Sequence, residues 1–148
     1  MKKRKLKVAL AGFGVVGKRR YECLKNHQFF RVVAVADKKF SDGNYKLDGL
    51  LTYSDYSDLF ALDVDVLFVS LPNDAAPDAT RLGIKNGLHV FCEKPPGRSV
   101  GDIESVAICD KKQKGLKVKY GFNHRYHESV KDAFKIIDSG EMGRVINL

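Results

Sequence analysis

Three glycines near the N-terminus have the spacing of a phosphate-binding loop. Gly12, Gly14 and Gly17 form the pattern G-x-G-x-x-G between an apolar run, residues 7–14, and a segment whose apolar residues recur at helical spacing. The first glycine allows a tight turn, the second lets the backbone approach a pyrophosphate, and the third lets helix and strand pack closely. The loop is therefore predicted to bind the pyrophosphate of a dinucleotide at the helix N-terminus. Its other members are Phe13, Val15 and Val16.

An aspartate beyond this loop points to the identity of the dinucleotide. Asp37 lies 20 residues after Gly17, at the end of a second apolar run, residues 31–37. A carboxylate there can accept hydrogen bonds from both ribose hydroxyls of NAD, and it would repel the 2′-phosphate of NADP. Lys38 or Lys39 could instead pair with that phosphate while Asp37 turns aside. NAD is the predicted cofactor, NADP is the alternative, and Lys38 is a further predicted cofactor-binding residue.

A carboxylate and an ammonium group end another apolar run. Glu93 and Lys94 follow the run at 88–92 and precede Pro95 and Pro96. At the carboxyl end of a parallel strand they would stand in the crevice where open α/β sheets bind their ligands. The residues alone leave two interpretations open, a solvated pair in a proline-rich turn or a binding site whose backbone the prolines restrict.

Apolar runs alternate with helical patterns along most of the chain. Short continuous runs, typical of buried parallel strands, occupy residues 7–14, 31–37, 64–70, 88–92 and 116–122. Repeated βα units predict an α/β fold with a doubly wound parallel sheet, a Rossmann fold, with helices on both faces. Residues 38–61 fit this alternation least well, and we expect a long loop at 38–48 and a short helix at 58–60.

Two helix ends carry local signals. Ser99 with Asp102 three residues later forms a capping-box pattern, which predicts a helix beginning there. A last helix has apolar residues at helical spacing from Val130 to Ile137. It is expected to stop at Gly140, because glycine readily adopts the left-handed conformation that ends helices.

Composition limits the class of protein. The chain has 148 residues, 44% of them hydrophobic, which suffices for one ordinary core and favours a single domain. Its three cysteines are odd in number and lack metal-ligand spacing, so we expect neither a disulfide framework nor a metal site. No run approaches the roughly 20 apolar residues that span a bilayer, and the basic N-terminus does not resemble a signal peptide. We therefore expect a cytoplasmic protein without a membrane partner.

The formal net charge of +8 raises the question of nucleic-acid binding. Much of the excess lies at residues 2–7 and 110–119. No aromatic residues interleave with these lysines as a base-stacking surface would require. We expect solvated charge and no nucleic-acid partner, although the charge could help to hold an anionic cofactor or substrate.

Five motifs together resemble a known oxidoreductase family. In chain order they are GFGVVG, VAVAD, SLPND, GLHVFCEKPP and GFNHRYHESV. They resemble the glucose-fructose oxidoreductase and inositol dehydrogenase family, Gfo/Idh/MocA, mainly through Glu93-Lys94-Pro95. The resemblance implies a two-domain, NAD(P)-dependent oxidoreductase acting on sugar, cyclitol or nucleotide-sugar hydroxyls. It implies that residues 1–148 are the dinucleotide-binding domain, and that 141–148 form the first strand of a second, substrate domain absent from this chain.

The resemblance also suggests roles for particular side chains. On the nicotinamide side of the cleft it places Ser70, Leu71, Pro72 and Asn73. Glu93 and Lys94 would lie beside nicotinamide and substrate, with a cis bond between Lys94 and Pro95. Lys94 would act as catalytic base if burial favours its neutral form, or stay charged and stabilise the developing alkoxide.

The stretch GFNHRYH has two interpretations. By resemblance it borders the cleft, where Arg125 would contact the cofactor and Asn123 and His124 the substrate. Alternatively, Arg125 and His127 are solvated at a helix start, and His124 is a hydrogen-bonded residue at the end of a strand. The family commonly has a histidine where this chain has Ala76, so the substrate subgroup is left open.

Two functional hypotheses result. The first is a sugar or nucleotide-sugar dehydrogenase whose 148 residues alone are inactive. The second is a nucleotide-binding or redox-sensing module without catalysis. A different Rossmann reductase is indicated if Lys94 lies away from the nicotinamide, and a homo-oligomer is compatible with any of these.

Overall fold

A computed structural model of the chain describes residues 4–40, 47 and 49–146. Its strands are β1 (Leu6–Ala11), β2 (Phe30–Ala36), β3 (Leu51–Tyr53), β4 (Val66–Val69), β5 (His89–Cys92) and β6 (Val118–Tyr120). Its α-helices are α1 (Val15–Lys25), α2 (Ala76–Lys85), α3 (Val100–Lys112) and α4 (Glu128–Ser139). Short 3₁₀ helices occupy Lys38–Phe40, Tyr56–Ala61 and Asn123–Tyr126.

The strands form one parallel sheet in the order β3-β2-β1-β4-β5-β6. Chain order reverses between β1 and β4, so a crevice opens outside the carboxyl ends of these two strands. The register brings the strand ends together, since Ala11 of β1 pairs with Ala36 of β2 and Val69 of β4. This arrangement confirms the predicted doubly wound fold.

Helices cover both faces of the sheet. On one face Val8 and Leu10 are buried with Leu24 of α1. On the other face, Ala9 and Leu67 are buried in a cluster that α2 and α3 complete. The helix residues of that cluster are Ala76, Ala79, Ile84 and Val106. Because neighbouring strand residues point to opposite faces, each inner strand serves both layers and is mostly apolar.

The segment 38–61 contains a strand that the sequence pattern did not predict. β3 is three residues long and pairs with β2, and so short a run shows no recognisable period. The short helix predicted at 58–60 is confirmed within Tyr56–Ala61. The loop prediction at 38–48 was wrong for 38–40, which form a helical turn, and residues 41–46 and 48 lie outside the described residues.

Both predicted helix-end signals are confirmed. Ser99 Oγ accepts a hydrogen bond from the Asp102 N–H at 3.2 Å, and the Asp102 carboxylate accepts one from the Ser99 N–H at 3.2 Å. Gly140 ends α4 with a left-handed φ of 77°. In the described part of the chain, no helix has the length and apolar character needed to cross a membrane.

The C-terminal segment carries no regular structure after a turn at 141–142. Residues 143–146 make no strand pairing, and 147–148 lie outside the described residues. Val145 is 43% exposed and Ile146 is 95% exposed. The strand expected at 141–148 needs a sheet to pair with, so it stays a prediction.

Candidate functional site

A cleft of about 570 Å³ opens outside the carboxyl ends of β1, β2 and β4. Many of the predicted cofactor-binding residues line it, namely Gly12, Gly14, Val15, Val16, Asp37, Lys38, Ser70, Leu71 and Pro72. The lining is completed by Ala36, Ser54, Asp55, Tyr56, Asp74 and Ala75. The cleft lies at the point where strand order reverses, which is where ligands bind in open α/β sheets.

The glycine loop has the geometry that its spacing predicts. A Cβ on Gly12, whose φ is +91°, would run into the Ser70 carbonyl oxygen, and one on Gly17 would run into the Gly12 carbonyl oxygen. A Cβ on Gly14 would meet nothing within 4 Å. Close packing therefore requires the first and third glycines, and open space lies in front of the second. No side chain caps the start of α1 at Gly14, which leaves the first helix N–H groups available to an anion.

Asp37 connects the end of β2 to the glycine loop. Its Oδ2 accepts a hydrogen bond from the Phe13 N–H at 2.6 Å, and its Oδ1 accepts one from the Lys39 N–H at 3.2 Å. The Phe13 ring is 3% exposed and packs in the core. Phe13 therefore contributes backbone to the site and does not line the cleft.

The two lysines after Asp37 are placed differently. Lys38 lines the cleft. The Lys39 ammonium donates to the Phe13 carbonyl oxygen and lies 5.0 Å from the centre of the Phe13 ring. In this arrangement Lys39 supports the loop, and Lys38 is the lysine placed at the cleft.

Ser70 contributes a buried hydroxyl beside the loop. Its Oγ has no hydrogen-bond partner among the described residues. An unsatisfied buried polar atom is costly, so a bound group that pairs with it stabilises the protein. The cleft thus offers helix N–H groups, the Asp37 carboxylate, an orphaned hydroxyl and open space at Gly14, which together fit a dinucleotide.

One part of the cleft was missed by the sequence analysis. Ser54, Asp55 and Tyr56 follow β3 directly, and because no strand was predicted there, these residues were not predicted to line a site. Asp55 caps the following helix, accepting a hydrogen bond from the Ser57 N–H at 2.8 Å. That bond lowers the pKa of Asp55, and burial raises the pKa of Tyr56 above its usual value. Asp55 three residues before Asp58 was a helix-start signal that could have marked this segment.

The Glu93-Lys94 turn lies beside β5 and outside the lining of the cleft. The Glu93 carboxylate forms an ion pair with the Arg20 guanidinium of α1, and the Glu93 side chain is 11% exposed. Lys94 is exposed, and the Lys94–Pro95 bond is cis, as the resemblance suggested. Glu93 therefore faces α1, and Lys94 lies at the surface of the turn.

Other predicted residues also lie apart from this cleft. Asn73 is exposed after Pro72, and Asn123, His124 and Arg125 are exposed on the short helix that follows β6. The structure does not bring these residues into the lining with Asp37, so their binding roles stay predictions. Over the described residues, no cluster of three or more His, Cys, Asp or Glu could hold a metal ion.

The sequence matches a family model across most of this fold. The oxidoreductase family with an NAD-binding Rossmann fold, GFO_IDH_MocA, matches residues 6–122. The chain belongs to the Gfo/Idh/MocA family. Within this family the matched residues are the NAD-binding domain, and the predicted resemblance is confirmed.

Individual family members support the assignment. Inositol 2-dehydrogenase of Salmonella typhimurium is 32% identical over 145 residues, which cover 94% of this chain and 43% of that protein. The structure of myo-inositol 2-dehydrogenase from Lactobacillus plantarum is similar with a TM-score of 0.84 at 28% identity, covering 97% of this chain and 44% of that one. Scyllo-inositol dehydrogenase from Lactobacillus casei, solved with NAD(H) and scyllo-inositol, shares the fold with a TM-score of 0.83 at 23% identity, covering 95% and 43%. The chain thus spans less than half the length of these similar proteins.

Proposed function

We propose that this Gfo/Idh/MocA chain holds NAD(H) for a dehydrogenase acting on a hydroxyl group of a cyclitol or sugar. The observation that carries the proposal is the cleft, where open space at Gly14, the Asp37 carboxylate and the orphaned Ser70 hydroxyl meet. Relatives with names of inositol dehydrogenases support a polyhydroxylated ring as the substrate class.

The proposed cofactor contacts follow from the geometry of the cleft. Val15 and Val16 at the start of α1 would offer backbone N–H groups to the pyrophosphate. Asp37 would accept the ribose hydroxyls, since each carboxylate oxygen can accept more than the one hydrogen bond it has. The negative charge of Asp37 favours NAD over NADP, whose 2′-phosphate it would repel.

Ser70, Leu71 and Pro72 are the proposed residues of the nicotinamide side. They follow β4 across the switch point from Asp37, and the buried Ser70 Oγ supplies a hydrogen-bonding group there. When bound, the nicotinamide ring supplies the donor or acceptor of the hydride.

Lys94 is the proposed catalytic residue. A carbinol carbon gives up a hydride as its hydroxyl proton leaves, so a cation beside that oxygen lowers the barrier. Lys94 lies on the exposed turn after β5, from which its side chain is proposed to reach the substrate hydroxyl. Asn123 and His124 are proposed to donate hydrogen bonds to other substrate hydroxyls, and Arg125 to contact the cofactor.

A fluorescence titration of the chain with NADH tests this proposal. We expect saturable binding, and we expect Gly14→Val to weaken it by about 100-fold or more, because the side chain fills the proposed pyrophosphate site. A Cβ at Gly14 would meet nothing within 4 Å, so the variant should stay folded, and its melting temperature verifies this. Gly101→Val, at the exposed start of α3, is the matched control. Failure of the unaltered chain to bind NADH, or full binding by Gly14→Val, would contradict the proposal.

A further inference from the structure

An ion pair joins the helix of the glycine loop to the turn that carries Lys94. Arg20 of α1 donates to Glu93 Oε1 through both Nε and Nη2. The side chains are 29% and 11% exposed, so the pair is largely shielded from water. Partly buried ion pairs hold their geometry better than exposed ones, because breaking them leaves a charge without a partner.

The Glu93 carboxylate occupies a slot made by the end of β6. A Cβ on Gly121 would lie 2.6 Å from Glu93 Oε2, so only glycine leaves room for the carboxylate in this position. On the same face of the sheet, the Phe91 ring lies under the guanidinium, with Arg20 Cζ 5.2 Å from its centre. Arg20 pairs with the Glu93 carboxylate and Gly121 leaves room for it, while Phe91 packs under the Arg20 guanidinium.

This arrangement restricts the turn at Lys94. The Glu93 N–H donates to the Val69 carbonyl oxygen at 2.9 Å, so backbone and side chain of Glu93 are both held. Lys94 is the next residue, and its direction follows from that of Glu93. The helix α1 begins at the glycine loop, so the ion pair connects the helix that follows this loop to the turn at Lys94.

We propose that Arg20 is a positioning residue for the nicotinamide side of the site, acting through Glu93 on the Lys94 turn. The inference rests on the proposed NAD(H) function. Loss of the guanidinium leaves the shielded Glu93 carboxylate without its partner, so the carboxylate turns towards solvent and takes the turn with it. Loss of the Arg20 guanidinium should leave the proposed adenosine side of the site, around Asp37, unchanged.

Comparing two ligands tests this inference on the 148-residue chain. NADH contains the nicotinamide, and ADP-ribose contains only the pyrophosphate and the two riboses with adenine. We expect Arg20→Gln to weaken NADH binding about tenfold and to change ADP-ribose binding less than about twofold, as for a positioning pair of ordinary strength. Arg19→Gln, which removes the same charge from an exposed neighbour on α1, should leave both affinities unchanged.

Further variants separate positioning from loss of fold. Gly121→Ala, which displaces the carboxylate without removing a charge, should reproduce the Arg20→Gln pattern. Arg20→Lys should restore part of the NADH affinity. Glu93→Gln combined with Arg20→Gln should be no weaker than Glu93→Gln alone, because both act through one contact. Melting temperatures verify that each variant is folded.

The outcomes distinguish this inference from the proposed function. Equal loss of NADH and ADP-ribose affinity, no loss of either, additive effects of the two substitutions, or equal affinity of the unaltered chain for both ligands would overturn the role of Arg20 alone. Absence of binding of either ligand by the unaltered chain would overturn the proposed function and this inference with it.

Discussion

Asp37 serves both the protein and the proposed cofactor. Its two oxygens accept the Phe13 and Lys39 N–H groups, which holds the glycine loop against the end of β2. The remaining acceptor capacity faces the cleft, where the ribose hydroxyls are proposed to bind. The carboxylate that holds the glycine loop is therefore also the group proposed to set the preference for NAD.

Replacing this carboxylate by an amide tests the preference for NAD. The unaltered chain should bind NADH more tightly than NADPH. Asp37→Asn keeps an acceptor oxygen but removes the charge, so we expect NADH affinity to fall about tenfold, as for loss of a charged hydrogen bond. Parallel titrations with both cofactors should show that the affinity for NADPH falls by a smaller factor than the affinity for NADH, or rises. Asp58→Asn, an exposed aspartate outside the cleft lining, serves as the control, and an unchanged NADH/NADPH ratio in Asp37→Asn would contradict this role.

The role of Lys94 is tested by kinetics in a form of the protein that includes a substrate-binding part. Lys94→Ala should lower kcat by about 100-fold, the effect typical of losing a group that assists proton transfer, and this fall should be far larger than any weakening of NADH binding. The control is Lys117→Ala, which removes an exposed lysine ahead of β6. Unchanged turnover in Lys94→Ala would reduce the motif to a structural turn.

The N-termini of α1 and α3 differ in whether side chains cap their free backbone N–H groups. At α3, Ser99 and Asp102 satisfy the free backbone donors of the helix with side chains. At α1, no side chain caps the helix, and glycine leaves its donors open to the cleft. Both helices need partners for the same N–H groups, and only α1 leaves them for a ligand.

Removal of the α3 cap should therefore affect stability and not binding. Ser99→Ala should lower the free energy of unfolding by about 1 kcal/mol, the usual cost of losing an N-cap side chain. Urea unfolding measures this change, and NADH titration should give the unaltered affinity. Ser129→Ala, an exposed serine inside α4, is the matched control. A stable Ser99→Ala variant would show that the cap does not contribute.

The same cap predicts a dependence on pH. The backbone N–H of Arg98, at 2.8 Å, and then that of Ser99 hold the pKa of Asp102 below its ordinary value of 3.8. The ionised Asp102 carboxylate therefore contributes to the free energy of unfolding at pH values above that ordinary pKa. This contribution is lost as the pH falls through the lower pKa of the folded state. Asp102→Asn should remove this acid-side loss, and unfolding curves of the two proteins should converge at low pH.

Local signals predicted much of this architecture, and tertiary contacts account for what was missed. The glycine loop, Asp37 and both helix ends were predicted because each signal lies within a few residues or at a fixed distance along the chain. β3 was missed because three residues show no period, and Ser54 to Tyr56 were missed with it. The pairing of Glu93 with Arg20 spans 73 positions, and no local pattern in the sequence indicates it.

Over the whole molecule, exposed apolar side chains concentrate towards the C-terminus. Phe134 of α4 is 57% exposed, Met142 74% and Ile146 95%, and no residue of α4 is buried. The chain spans 43% of the length of the Salmonella inositol 2-dehydrogenase. We propose that a substrate-binding domain covers this surface in an active protein.

The isolated chain should associate through this surface. Light scattering of the 148-residue chain should detect species larger than a monomer, and removal of residues 141–148 should reduce them. NADH binding should be unchanged by the removal, because the residues that line the cleft lie between Gly12 and Ala75. Myo-inositol-dependent NADH formation by the 148-residue chain itself would contradict the need for a further domain.

The contact of Gly12 with Ser70 has a consequence for how such a domain changes in evolution. The loop meets β4 through main-chain atoms, and Gly17 meets Gly12 in the same way. The main chain is the same for all residues except proline, so most side chains around this contact can change without altering it. Side chains at the edge of the cleft can therefore change to accept a new substrate while the glycine loop keeps its conformation, provided that Gly12 and Gly17 are retained.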